Sequence, residues 1–151
     1  MKLLRNCPIN QLNQADDFFE AYIRCFTPTN GKQIVAIPGF VNGFFACELY
    51  LKMLTKNKAK GHDLKLLYFG LNNSQKSLLC SMYAKNPVDD LAFEDYLERV
   101  NKGFEFWRYI YEDVNYDFEI KHPFEYSEKF LTRFLPLLKQ MAEDFEKTSE
   151  C

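Results

Sequence analysis

The sequence predicts an all-α fold, an up-and-down bundle of four to five long helices with short helices between them. Three observations carry this. Apolar residues recur at helical spacing in several segments, most regularly at Phe93, Leu97, Val100, Phe104, Trp107 and Tyr111. Breaker clusters separate those segments, as at Thr27-Pro28-Thr29-Asn30-Gly31, Asn72-Asn73-Ser74 and Asn86-Pro87. The 151 residues, 47% of them hydrophobic, run without a dividing linker, so residues 1–151 are expected to form one domain. Its core is expected to be built from large rings, since the chain holds 15 Phe and 9 Tyr.

The first helix runs from Pro8 to Phe26, with Ala15, Phe19, Tyr22 and Phe26 on one face. Ile34 to Ile37 leads into a second helix that has Pro38 in its first turn. That helix carries Phe40, Phe44, Cys47, Leu51 and Leu54 on one stripe, and Leu49, Tyr50 and Met53 cover most of the rest. A helix apolar nearly all round belongs at the centre of a bundle. Gly39 and Gly43 should let a neighbour approach it closely. Lysines crowd its end, and Gly61 is expected to stop it. A third helix begins at His62-Asp63, and Ser74 is expected to cap a short fourth one. Asp89 or Asp90 should cap one long helix reaching Tyr111. Asn115 to Pro123 reads as an irregular connector, with His122 at the surface. The last helix runs from Tyr126 to Lys147, bent at Pro136.

Composition excludes several function classes. A net charge of -2 argues against a broad electrostatic footprint for nucleic acid, though not against a local basic patch. No apolar run is long enough to span a bilayer, and the first residues turn polar too early for a signal peptide. The five cysteines are scattered, without a CxxC pair, and read as reduced thiols in a cytoplasmic protein. Two histidines and no close cysteine pair do not make a transition-metal site, and no phosphate-cradling loop is present, so no cofactor is expected.

Charges on the two most apolar helices are the candidates for chemistry. Glu48 and Lys52 stand four apart on the second helix, and Arg108 and Glu112 stand four apart near the end of the later one. A buried charge must be paired or costs several kcal/mol. A cross-helix network is therefore expected, Glu48 facing Arg108 and Lys52 facing Glu112. It serves either to fix how the helices dock or to bind a ligand. His62 is the better placed of the two histidines, and Asp63 either orients its ring or caps a helix.

Two stretches carry a family resemblance: ACELYLKMLTKNKAKGHDLKLLY from Ala46 and FEFWRYIYED from Phe104. The E-L-x-L-K segment, the G-H-D-L that follows it and the later R-Y-x-Y-E resemble the HEPN superfamily (higher eukaryotes and prokaryotes nucleotide-binding). The resemblance covers Pro8 to Lys147 in helix order. It implies an all-α, often dimeric bundle. Many members are metal-independent RNases of toxin–antitoxin and phage-defence systems; others are non-catalytic, work beside a nucleotidyltransferase or bind a ligand. Catalytic members carry Arg, four to six residues, then His. Arg108 matches the Arg, but the His position falls on Asp113, Val114 or Asn115, none of which is His.

The expected function is thus a HEPN-like binding or regulatory module. Its polar cluster of Glu48, Lys52, His62, Asp63, Arg108 and Glu112 would take a small anionic ligand, RNA or a protein partner. The expected partners are a second copy of the chain, a nucleotidyltransferase or an antitoxin. The alternative is an atypical metal-independent endoribonuclease using Glu48, His62 and Arg108.

Overall fold

A computed structural model of the chain describes residues 8–110 and 121–149. Among them the only regular elements are helices: α1 (Pro8–Phe26), α2 (Ala36–Leu54), α3 (Leu64–Phe69), α4 (Asn73–Ala84), α5 (Phe93–Val100), α6 (Gly103–Arg108) and α7 (Lys121–Lys147). The all-α expectation holds. Three of these helices are long, of 19, 19 and 27 residues, and short helices build the remainder, in place of the four to five long helices expected.

α2 is the centre. It packs against α1, α6 and α7 and touches α3, and eleven of its residues are buried, among them Phe40, Phe44, Cys47, Leu51 and Leu54. Its two glycines allow this crowding. A Cβ at residue 39 would stand 2.4 Å from the Phe26 ring, and one at residue 43 would stand 2.8 Å from Leu131 and 2.9 Å from Tyr22. Rings fill the space between helices: Phe40 meets Phe26, Trp107 and Phe124, and Phe93, Phe130 and Phe134 form another group. Each large side chain so buried contributes roughly 1.5–3 kcal/mol of hydrophobic stabilisation. Trp107 completes its contacts by donating its indole N–H to Ser127 at 2.9 Å.

α2 ends at Leu54, ahead of the expected stop at Gly61. Lys56 and Asn57 take left-handed backbone angles, and their N–H groups close on the carbonyls of Met53 and Lys52. Asparagine tolerates that conformation, so the chain reverses before the glycine is reached. Only Lys52 remains in the last turn; the other lysines lie in the loop that follows.

Asp63 caps α3 as expected, accepting the Leu66 N–H at 3.0 Å. α4 is capped by Asn72 instead of Ser74. Asn72 accepts the Gln75 N–H while Gln75 reaches back to the Asn72 N–H, a reciprocal pair that satisfies two free donors.

The expected long helix from Asp89 to Tyr111 is broken. Asp89 folds back on the Leu91 N–H, and α5 starts only at Phe93. Asn101 and Lys102 then interrupt the helix. The cause lies in α3, whose first N–H groups need acceptors. Leu64 N–H donates to the Asn101 carbonyl at 3.1 Å, and Lys65 N–H donates to its side-chain oxygen at 2.7 Å. Phe93, Leu97, Val100, Phe104 and Trp107 stay buried on both sides of the break. The apolar periodicity therefore continues across the break between α5 and α6. The last helix begins at Lys121, which puts His122 and Pro123 in its first turn and not in a loop. Pro136 lies inside it, as expected.

Candidate functional site

Glu48 is fully buried on α2, surrounded by the residues that fill the bundle. The reversal after Leu54 returns the chain to the same end of α2 and delivers His62 to it. His62 Nδ1 lies 2.7 Å from Glu48 Oε2. The imidazole is not itself sealed in: its side chain is 41% exposed, whereas that of Glu48 is 0% exposed. The dyad thus joins a carboxylate in the core to a ring open to solvent.

α6 supplies the floor. The His62 ring lies on Phe104 with centroids 4.9 Å apart, and Phe104 stacks in turn on Phe45 of α2 at 5.0 Å. Arg108, one turn along α6, holds its guanidinium carbon 5.6 Å from the Phe104 centroid and 5.3 Å from that of Tyr109. Such cation–ring contacts are worth about 0.5–1 kcal/mol at exposed sites. His62 and Arg108 therefore share one aromatic neighbour.

Burial pushes the Glu48 carboxyl above the usual carboxylate range. The hydrogen bond and charge of His62, and the charge of Lys52, pull it part of the way back, while Glu105 adds to the rise. Among the described residues only one of its oxygens is bonded; Oε1 is buried without a hydrogen-bond partner. The adjacent Cys47 thiol is also pushed well up, by burial and by Glu48.

Of the residues singled out from sequence, Glu48 and His62 are in contact and Arg108 adjoins them through Phe104. Lys52 acts on Glu48 through charge, without an ion pair among the described residues. Asp63 is a helix cap and does not orient the ring. Glu112 and Asn115 lie outside the described residues, as do Cys7 and Cys151; Cys25, Cys47 and Cys80 are free thiols.

The expected Glu48–Arg108 pair is not formed. Arg108 is exposed, and the carboxylate takes its hydrogen bond from the loop histidine. The physical reason is desolvation: a half-exposed imidazole satisfies a buried carboxylate without a guanidinium having to leave water. Helix periodicity carried no signal of this partner, because His62 reaches Glu48 through a reversal built on Lys56 and Asn57. Reasoning from sequence also missed a second polar cluster. Asp16 there accepts from the Tyr50 hydroxyl at 2.5 Å and pairs with Lys139 at 3.0 Å, and Lys139 also pairs with Glu143.

A carboxylate that accepts Nδ1–H fixes the imidazole tautomer and leaves Nε2 as the nitrogen that can accept or release a proton. With Arg108 nearby, the site offers one orientable acid–base group and one permanent cation, a combination suited to an anion. Among the described residues no group of His, Cys, Asp and Glu could hold a metal ion. No helix among them is long and apolar enough to cross a membrane. No family model, no curated protein and no solved structure matches this chain.

Proposed function

We propose that this chain is a HEPN-like helical module that binds an anionic ligand, the phosphate of a nucleotide or of RNA, at His62 and Arg108. The observation that carries the reading is the 2.7 Å bond between buried Glu48 and half-exposed His62. A carboxyl group held in the core at this cost, with its other oxygen unbonded, is explained when it orients a ring that meets a ligand. Arg108 supports it as an exposed cation engaged with rings and not with a carboxylate among the described residues. The motifs that resemble the HEPN superfamily converge here: E-L-x-L-K lies on α2, G-H-D-L leads into α3, and the Arg of R-Y-x-Y-E ends α6. The proposed setting is cytoplasmic, within a toxin–antitoxin or phage-defence system, with a second copy, a nucleotidyltransferase or an antitoxin as partner.

A short fluorescent oligoribonucleotide tests the reading by anisotropy. Binding should weaken about tenfold in Arg108→Ala and in His62→Ala, and should fall with added salt. Unchanged binding in both variants would overturn it.

The same hydrogen bond favours a second reading, metal-independent RNA cleavage. Glu48 would orient His62, His62 Nε2 would take the 2′-hydroxyl proton, and Arg108 would stabilise the charged phosphorane. Binding stands first because the dyad supplies one imidazole, while protonating the leaving oxygen needs a further acid. The position that the family gives to its His holds Asp113, Val114 or Asn115. The purified chain should therefore leave a labelled RNA intact. Cleavage lost in both His62→Ala and Arg108→Ala would promote the second reading over the first.

A further inference from the structure

A separate cleft of about 480 Å³ lies where the end of α4 meets the turn into α5. Cys80, Tyr83 and Ala84 form one wall, and Pro87, Leu91 and Phe93 form the other. The turn is fastened over α4, since the Tyr83 hydroxyl donates to the Leu91 carbonyl at 2.8 Å. Arg133 of α7 ties the turn to the end of α4, donating to the carbonyl of Asn86 in the turn at 2.6 Å and to that of Met82 in α4 at 3.0 Å. The cleft is therefore preformed, and its volume lies in the range of small-molecule sites.

Its charge is one-sided. Asp89, Asp90 and Glu94 line it, and no Lys, Arg or His does. Asp89 is already satisfied: the Tyr96 hydroxyl, the Leu91 N–H and Lys129 all donate to it, and they hold its carboxyl below the usual range. Asp90 and Glu94 are exposed and form no ion pair among the described residues. Glu94 takes a long 3.5 Å contact from the Tyr68 hydroxyl and interacts through charge, without an ion pair, with Lys65. A mostly apolar trough thus ends at two exposed carboxylates, neither of them held in an ion pair among the described residues.

We propose that this cleft binds a small amphiphilic amine. Its apolar body would lie against Cys80, Ala84, Leu91 and Phe93, and its ammonium group would sit between Asp90 and Glu94. Neutral ligands would gain the apolar wall alone, and anions would meet repulsion at the rim.

The experiment uses the full chain and three probes that share one body: 4-phenylbutylamine, 4-phenylbutanol and 4-phenylbutanoate. Calorimetry gives affinity, and alkylation of Cys80 by iodoacetamide, mapped by peptide mass, reports occupancy. The amine should bind about tenfold more tightly than the alcohol, with no binding of the carboxylate. It should also slow Cys80 alkylation. The exposed changes Asp90→Asn and Glu94→Gln together should bring the amine down to the alcohol's affinity while the helical circular dichroism is kept. The proposal is overturned if the amine does not bind at millimolar concentration, or binds no better than the alcohol. It is equally overturned if the amine's advantage survives in the double variant, or if binding leaves Cys80 alkylation unchanged. None of these readouts involves His62 or Arg108.

Discussion

Replacing His62 by Ala removes the one side-chain hydrogen bond that Glu48 makes among the described residues. Breaking a sealed ion pair costs about 3–5 kcal/mol, because a charge is left alone in the core. His62 is 41% exposed, so water can enter where the ring stood and reach Oε2. That lowers the expected cost to about 1–3 kcal/mol, the penalty for an imperfectly satisfied buried polar group. The lost ring contact with Phe104 adds about 0.5–1 kcal/mol. The total expected at pH 7 is about 1.5–4 kcal/mol, read as a shift in the urea midpoint with unchanged slope. The loss should shrink in mild acid, where Glu48 takes up a proton and no charge is stranded. Arg108→Ala should cost under about 1 kcal/mol, because only exposed ring contacts are removed. An Arg108→Ala loss larger than that of His62→Ala, or a His62→Ala loss equal at both pH values, would refute the pairing.

Glu48→Gln should unfold with a different pH dependence. The Glu48 carboxyl holds its proton to higher pH in the folded than in the unfolded chain, so its contribution falls as pH rises through that window. Wild type should therefore lose stability relative to Glu48→Gln between acid and neutral pH; parallel curves would contradict the buried carboxyl. Asn101→Ala keeps the carbonyl bond to Leu64 but removes the side-chain acceptor of the Lys65 N–H. It should cost about 1 kcal/mol, the usual value of a helix cap, and a neutral change in a denaturant titration would remove Asn101 as the cause of the α5–α6 break. Gly103→Ala would bring a Cβ to 2.7 Å from the fully buried Phe44 ring. A melting measurement should show a loss of about 1–3 kcal/mol from overpacking.

The core was largely legible in the sequence. Leu51, Phe104 and Trp107 fall on the apolar stripes and are all buried, because apolar spacing reports which face turns inward. The close-approach roles of Gly39 and Gly43 were legible for a similar reason, since a residue without a side chain on a crowded helix marks a neighbour's path. Helix ends were less so. α2 stops at left-handed Lys56 and Asn57, and α5 stops because Asn101 caps a helix 36 residues earlier in the chain, an interaction that local spacing cannot carry. The candidate site divides along the same line. Glu48 stood out as a charge on an apolar helix, but its partner was sought among other helices, where i,i+4 logic applies. The loop that brings His62 back to α2 depends on two backbone angles that no periodicity encodes.

Nitrogen-15 NMR of the His62 ring tests the central claim most directly, at a pH where the ring is neutral. With Glu48 accepting, the proton should sit on Nδ1, leaving Nε2 unprotonated, and addition of the oligoribonucleotide should move the Nε2 resonance in wild type but not in Arg108→Ala. A proton found on Nε2, or an Nε2 resonance that the oligoribonucleotide leaves in place, would contradict a Glu48–His62 dyad oriented toward an anionic ligand.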